Sequence, residues 1–269
     1  MGAQRLAAGA RLSVLLAAVA GAAIGVAVGT FGGGGSVLAV PVLVYLLGEP
    51  LPDATTASLV VVAAGALAGA AGHARAGRVC WRHAISFTAA AVPGIAGGTL
   101  AGEALPDELT LAALALVMLA AANGVWRRAA DEEPDPGRDA DACPPLRLPR
   151  DALAGVAVGF VTGLLGVGGG FLIVPTLAVG LAFTMRTAVG TSLAIITATS
   201  ALGLGAHLLA GREADAGLTA AMAATCVAGS LAGAAVAGRL PQRVLGRAFA
   251  GLVSAVAGGL LVSALLGGP

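Results

Sequence analysis

Two clusters of glycine are the residues whose spacing most directly predicts binding chemistry. Glycine costs about 1 kcal/mol relative to alanine inside a helix, so each cluster predicts a break in a helix. A helix that restarts after a break presents free N–H groups and the positive end of its dipole, and both favour an anion. The predicted substrate-binding residues at the two breaks are Gly32, Gly33, Gly34, Gly35, Ser36 and Pro41 in the first, and Gly166, Gly168, Gly169, Gly170 and Pro175 in the second. Close packing between helices is the alternative explanation for such glycines.

Hydroxyl and imidazole side chains follow each break at matching positions. Ser58 matches Ser192, and Thr191 precedes the latter; these three complete the predicted substrate-binding set. Hydroxyls in membrane helices also bond back to the preceding turn, which requires no ligand. His73 and His207 end matching helices, where an interfacial or structural role competes with proton coupling. We retain both histidines as candidates for coupling.

The chain repeats itself over nearly its whole length. Gly29–Pro41 matches Gly163–Pro175, and His73 falls on His207 in the same register. Matching glycines are expected by chance in a glycine-rich chain, but a proline and a histidine in one register are not. The repeat predicts two homologous halves, and paired breaks at matching positions of two halves indicate the substrate site of a transporter.

The composition is that of a membrane protein. Hydrophobic residues make up 58% of the 269 residues and charged residues 11%, whereas a soluble domain carries roughly 25% charge. The charges lie between eight uncharged runs, and about 20 apolar residues cross a bilayer core. We therefore predict an all-α, polytopic transmembrane helix bundle of about 4+4 helices, with paired glycine-rich broken or re-entrant segments. A net charge of +1 gives no reason to expect a nucleic-acid partner.

The charge pattern also predicts three regions. Residues 1–126 form the first membrane repeat and 151–269 the second. Residues 127–150 are rich in Asp, Glu, Pro and Gly, which is typical of a solvated, flexible linker. If the first broken segment makes one net crossing, the arginines of the first half share one side with the N-terminus, which the positive-inside rule places in the cytoplasm. The arginines of the second half disagree with that count, so either the second half is inverted or some of these arginines serve function.

Other kinds of site find little support in the sequence. Ser36 with one of the two histidines is an imaginable intramembrane hydrolase, but the second repeat has Gly170 in place of this serine. No phosphate-binding lysine follows the glycines. The three cysteines are far apart, so we expect neither a structural disulfide nor a metal site. We predict a protein that is not an enzyme and has no cofactor, with a structural or receptor membrane protein as the remaining rival.

The repeated motifs resemble those of the TauE/SafE family. The resemblance rests on Gly163–Pro175 followed by Ala188–Leu193, more loosely on Gly29–Pro41 with Ala57–Leu59, and extends across both halves outside 127–150. It implies an inner-membrane carrier of small anions that contain sulfur or carboxylate groups. Ser36 in the first half stands where the second has Gly170, so the two half-sites differ.

The combined prediction is a secondary transporter of small anions, such as sulfite, organosulfonates or related carboxylates, without ATP hydrolysis. Its partners are the anionic substrate and the lipid bilayer of the cell inner membrane, and a homo-oligomer is left open. Proton coupling through His73 or His207 is predicted by elimination, because no Asp or Glu lies inside an apolar run. A uniporter, which needs no titratable group, is the alternative.

Overall fold

The computed structural model describes residues 2–33, 36–102, 107–131, 143–165, 170–212 and 214–265. These residues form helices joined by short connections, and no strand occurs among them. The helices are α1 (Gly2–Phe31), α2 (Ser36–Pro41), α3 (Leu51–Arg75), α4 (Trp81–Gly102), α5 (Asp107–Asp131), α6 (Leu148–Leu165), α7 (Gly170–Pro175), α8 (Met185–Leu209), α9 (Ala216–Arg239) and α10 (Gln242–Leu265). The predicted all-α class is confirmed. The order long, short, long, long, long occurs twice along the chain.

The long helices lie where uncharged runs are bounded by charge. Four of them are long and apolar enough to cross a membrane by length and composition, and these are Asp53–Arg75, Trp81–Gly102, Met185–Leu209 and Ala216–Arg239. Side chains such as Leu15, Leu67 and Leu100 are more than half exposed on the outer faces of the bundle. Such an apolar outer surface suits lipid rather than water, so the protein is a multi-pass membrane protein.

The two short helices end in the same way. Pro41 is the last residue of α2 and Pro175 the last of α7, and a π-helical turn follows each of them, over Val42–Leu46 and Thr176–Gly180. Proline has no backbone N–H and its ring crowds the preceding turn, so it disturbs the regular hydrogen-bond ladder. The matched prolines therefore account for the matched change of helix type.

Glycines let two helix pairs touch backbone to backbone. A Cβ added at Gly98 would overlap the Phe160 carbonyl of α6, and one added at Gly29 would overlap the Ser230 carbonyl of α9. Small residues four apart are the usual means of close packing in membranes, because lipid supplies no hydrophobic drive between helices. The close-packed glycines are Gly94, Gly98, Gly102, Gly155, Gly159 and Gly163 between α4 and α6, and Gly21, Gly25, Gly29, Gly229 and Gly233 between α1 and α9.

The central helices α3 and α8 run antiparallel and define two ends of the bundle. Near the start of α3, Oγ1 of Thr56 lies 3.0 Å from Nδ1 of His207, close to the end of α8. Beyond the end of α3, the N–H of Cys80 donates to Oγ1 of Thr191, near the start of α8, over 3.1 Å. We name the first the Arg212 end, after the arginine shortly past the end of α8, and the second the Cys80 end, after the cysteine just before α4.

The predicted grouping of the N-terminal arginines with the other arginines of the first half is wrong. α1 runs parallel to α9, from the Arg212 end towards the Cys80 end, because Gly25 packs on Cys226 and Gly29 on Ser230. The chain then returns through α2, since α3 begins at the Arg212 end. The first described turns of α1 and the start of α3 therefore lie at the same end, opposite Arg75 and Arg128. The first half traverses the bundle an odd number of times, so the second half starts from the other end.

This topology gathers most of the described arginines at the Cys80 end. Arg212 and the N-terminal turns of α1, with Arg5 and Arg11, are at the other end. The arginines at the Cys80 end are Arg75, Arg78, Arg82, Arg127, Arg128, Arg147, Arg150, Arg186, Arg239, Arg243 and Arg247. The sequence count of arginines on each side disagreed between the two halves because it assumed one crossing before α3, whereas α1 and α3 begin at the same end.

The expectation of no disulfide is also wrong. Cys80, just before α4, and Cys143, just before α6, form a disulfide with a Cα–Cα distance of 5.7 Å. The parallel packing of α4 and α6 brings together two residues that are 63 positions apart. α5 extends to Asp131 and α6 begins at Leu148. Residues 132–142 lie outside the described residues.

Candidate functional site

A cavity of about 460 Å³ lies among α3, α4, α6 and α8 and extends to Arg212, just past the end of α8. Its walls are mostly apolar, with Phe87 and Ile173 at the buried side and Ile195 on α8. The polar residues of the lining are Thr55, Ser58, Thr99, Thr162, Thr199, Ser200, His207 and Arg212. An apolar pocket with a few convergent polar groups is the usual form of a small-molecule site.

The hydroxyls of the cavity come from both central helices. Ser58 donates to the Thr55 carbonyl over 2.8 Å, and Thr199 donates to the Ile195 carbonyl over 3.0 Å. Each of these hydroxyls is therefore satisfied by its own helix and can exchange that bond for a ligand without leaving a buried group unpaired. At the rim, the Arg212 guanidinium supplies a positive charge. A lining of this kind fits a small anion better than a cation.

The matching positions at the Cys80 end are filled by protein contacts. Ser192 is fully buried, and its Oγ lies 2.8 Å from the Val189 carbonyl and 3.2 Å from the Gly32 carbonyl. Thr191 is equally buried and accepts the Cys80 N–H. The three predicted hydroxyl residues therefore lie in different surroundings. Ser58 lines the cavity, whereas Thr191 and Ser192 are buried in protein contacts at the Cys80 end.

The two candidate histidines are divided in the same way. His207 lines the cavity, and its Nδ1 lies 3.0 Å from Oγ1 of Thr56. His73 is 1% exposed, and its Nε2 lies 3.2 Å from the Gly29 carbonyl, to which it donates. Of the two imidazoles, His207 alone is placed to meet a molecule in the cavity.

The two glycine breaks are neighbours. A Cβ added at Gly33 would overlap the Gly170 carbonyl, so these two backbones touch. Gly32 has a φ of +76°, a left-handed conformation that favours glycine, and also packs on Ser192. Gly170 lines the cavity.

The remaining predicted residues either lie away from the cavity or fall outside the described part of the chain. Pro175 is buried and Pro41 exposed, and neither lines the cavity. The predicted residues Gly34, Gly35, Gly166, Gly168 and Gly169 lie outside the described residues, as does the side chain of Ser36.

A second hollow, a groove of about 720 Å³ between α5 and α10, is larger than the cavity but less suited to an anion. Its lining carries no charged side chain, and its polar groups are Asn123 and Ser254. Apolar and aromatic side chains such as Leu116 and Trp126, both at least half exposed, form the rest of it. We therefore take the cavity among α3, α4, α6 and α8, rather than this groove, as the candidate site.

Several cavity residues escaped the sequence reasoning. Thr162 and Gly203 line the cavity, and so does Arg212. The missed signal is the helical spacing of polar and small residues on one face of α8, through Thr199, Gly203 and His207. Such a face, repeated every three or four residues, marks the side of a helix that meets a common surface.

Comparison with known proteins agrees with this architecture. The family model described as sulfite exporter TauE/SafE matches residues 17–260. Two proteins named "Probable membrane transporter protein", from Xylella fastidiosa strains 9a5c and Temecula1 / ATCC 700964, are each 31% identical over 182 residues, which cover 67% of this chain and 69% of theirs. No solved structure matches. The chain therefore belongs to the sulfite exporter TauE/SafE family, a family of membrane transporters.

Proposed function

We propose that this protein is a secondary carrier of small anions in the cell inner membrane, with sulfite, organosulfonates or related carboxylates as substrates. The observation that carries the proposal is the cavity between α3 and α8, which combines hydroxyls from both helices with the Arg212 guanidinium. The family name supports sulfur oxyanions as the first class to test. The absence of a nucleotide-binding motif in the sequence supports transport driven by a gradient rather than by ATP.

We further propose that residues 1–126 and 151–269 are homologous halves of inverted orientation, joined by 127–150. The recurring order of helices supports this, and so does the antiparallel packing of the matched helices α3 and α8. In inverted repeats, short interrupted helices near the pseudo-two-fold axis form the substrate site. We assign that role to α2 and α7, together with the predicted residues from Gly32 to Pro41 and from Gly166 to Pro175.

Transport by such a fold requires the two ends to open in turn. The cavity reaches the exposed Arg212 at one end, whereas Ser192 and Thr191 are fully buried in protein contacts at the other end. We propose that the opposite state opens the Cys80 end and closes contacts around Ser58. The positive-inside rule favours the cytoplasm for the Cys80 end, because of its eleven arginines.

Proton coupling belongs to the same proposal. Of the two candidates, His207 is favoured, because it lines the cavity, whereas His73 donates to the Gly29 carbonyl in the closed half. Replacing both histidines by glutamine keeps their hydrogen bonding and removes their titration. We expect the double variant to exchange substrate but to lose accumulation driven by an imposed pH gradient.

Reconstitution into liposomes tests the proposal. Purified protein should mediate counterflow of sulfite or a short alkanesulfonate that protein-free liposomes do not show. The variant Ser58→Ala should weaken the apparent affinity, while Ser254→Ala in the outer groove should not. Absence of counterflow across sulfite, alkanesulfonates and short carboxylates would remove the anion-carrier proposal. The rival hydrolase with Ser36 has no support from the placement of His73 and His207, which lie near opposite ends of their antiparallel helices.

A further inference from the structure

A buried histidine–carboxylate pair lies at the Cys80 end, outside the cavity. Nδ1 of His83, in the first turn of α4, is 2.5 Å from Oδ1 of Asp151, in the first turn of α6. The two side chains are only 4% and 1% exposed. Ionisable groups are rarely buried so completely unless they are paired, and at functional sites such pairs exchange protons.

The ring of His83 meets an acceptor on both of its nitrogens. Its second nitrogen, Nε2, lies 3.0 Å from the carbonyl oxygen of Pro144. A carbonyl only accepts a hydrogen bond, and an ionised carboxylate only accepts, so both ring nitrogens must carry a proton for both bonds to form. The geometry therefore fits an imidazolium beside a carboxylate. This pair carries one proton more than a neutral imidazole beside a carboxylate would carry.

The groups around the pair are hydrogen-bonded into the same end of the bundle. The backbone N–H of Arg147 donates to Oδ2 of Asp151 over 3.2 Å. The ring of Phe183, in the segment before α8, packs edge-on against His83 with centroids 4.9 Å apart, and its carbonyl accepts from Arg128 of α5. The described charged side chains at this end of the elements packed here are Arg82 on α4, Arg127 and Arg128 on α5, Arg147 just before α6, Arg150 in the first turn of α6, and Arg186 in the first turn of α8. Asp151 is the carboxylate that offsets the imidazolium among these cations.

The pair joins α4, α6 and the stretch of chain that precedes α6. Pro144 follows Cys143, whose disulfide with Cys80 fixes the same stretch of chain to the start of α4. If the Nε2 proton leaves to water, the neutral ring can donate to Asp151 or to the Pro144 carbonyl, but not to both. One buried acceptor then loses its donor, which weakens the contact of α4 either with Pro144 or with α6.

We propose that His83 and Asp151 form a proton-binding site that holds the Cys80 end closed, and that its proton must leave before this end opens. The inference rests on the proposed carrier function, because it requires the closed end to open during transport. It is distinct from coupling through the cavity, since no cavity-lining residue takes part. Protonation then favours the state that is open at Arg212.

Counterflow at equal pH on both faces of the liposome tests the proposal. The probe is an alkanesulfonate, which stays ionised throughout, and the pH runs from about 5.5 to about 8.5. We expect the exchange rate of the parent to rise with pH, by at most about ten-fold per pH unit, the limit for one linked proton. Asp151→Asn and His83→Gln should flatten this rise, whatever their effect on the absolute rate.

The matched control is Asp215→Asn, which removes a carboxylate that caps α9 at the other end by accepting from the Leu218 N–H. It should leave the pH dependence of the parent unchanged. A pair that only stabilises the fold would lower the rate of the variants equally at every pH and keep the slope. That outcome would overturn the inference while leaving the carrier proposal intact.

A second measurement needs no transport. The nitrogen-15 spectrum of labelled histidine, assigned with His83→Gln, should show both nitrogens of His83 protonated at acidic pH and one proton lost as the pH rises through the same interval. A ring that stays neutral, or stays doubly protonated, across the whole interval would overturn the proton-binding site. Failure of every anion to exchange would instead overturn the proposed substrate class.

Discussion

The two ends of the α3–α8 crossing contain matching residue types in different surroundings. At the Arg212 end, Ser58 and His207 line a cavity, and the hydroxyl of Ser58 bonds within its own helix. At the Cys80 end, Ser192 and His73 are buried and reach the carbonyls of Gly32 and Gly29 on α1 and its extension. Matched residues thus line a binding space at one end and join helices at the other, as expected if the two ends exchange roles in transport.

Filling the cavity should have the largest effect on transport. Gly203→Leu projects a side chain towards Leu59, whose methyl carbons already lie 3.4 and 3.6 Å from a Cβ at this position. We expect the exchange rate to fall by at least about ten-fold, which corresponds to about 1.4 kcal/mol of lost binding. Gly205→Leu is the control, because a Cβ there meets nothing within 4 Å. Equal losses in both variants would show that the cavity is not the path.

Removing the matched serines should separate stability from binding. Ser192→Ala removes a fully buried hydroxyl whose one proton is shared between the Val189 and Gly32 carbonyls, which should cost about 1–3 kcal/mol of stability. Ser58→Ala should cost less than about 1 kcal/mol, because Ser58 only bonds back to Thr55. Thermal unfolding in detergent measures the stability that each variant loses, and the apparent affinity for substrate measures the binding that each variant loses. A larger loss of stability in the Ser58 variant would contradict the assignment of the two ends.

Neutralising the rim charge should have a smaller effect. Arg212→Gln removes an exposed guanidinium, and exposed charge interactions contribute about 0.2–1 kcal/mol and weaken in salt. The apparent affinity for a sulfonate should therefore fall by no more than about five-fold, and the difference from the parent should shrink at high ionic strength. Arg239→Gln, at the other end, should change neither value; an equal change there would point to a general surface effect.

Opening the disulfide should have the least effect on transport. Its redox state in cells should show which side of the membrane the Cys80 end faces. Cys143 is exposed and bonded to the buried Cys80. Cytosolic reductants open accessible disulfides, so, if the arginines place this end in the cytoplasm, Cys143 should be free to react with a maleimide in cells. Protection of Cys143 until a reductant is added from outside would reverse the orientation. Cys143→Ser should keep exchange close to that of the parent.

The fold was predictable where local composition determines it. Two of the uncharged runs correspond to α3 and α8, because charge and turn residues stop an apolar helix at the edges of the bilayer. The position of the N-terminus was not predictable in this way. Whether α2 returns to the starting end depends on its packing against α3 and α7, and no local pattern encodes that contact.

The same limit applies to the sites. Ser58, Gly170 and His207 were identified from the repeat, because matched positions mark matched elements. The pair His83–Asp151 was missed, since its two members are 68 residues apart and meet only through the parallel packing of α4 on α6. The disulfide was missed for the same reason. Contacts between distant helices follow from tertiary packing and leave no signal in a single sequence.

Protection of the cavity wall by substrate tests the central claim most directly. Ser200→Cys places a thiol in the cavity, while the native Cys226 is buried and the other two cysteines are paired. A small charged thiosulfonate reagent should modify this thiol, and saturating sulfite or alkanesulfonate should slow the modification several-fold; Ser254→Cys in the outer groove should show no such protection. Equal rates with and without every anion tested would contradict the account, because the cavity would then not be the substrate site.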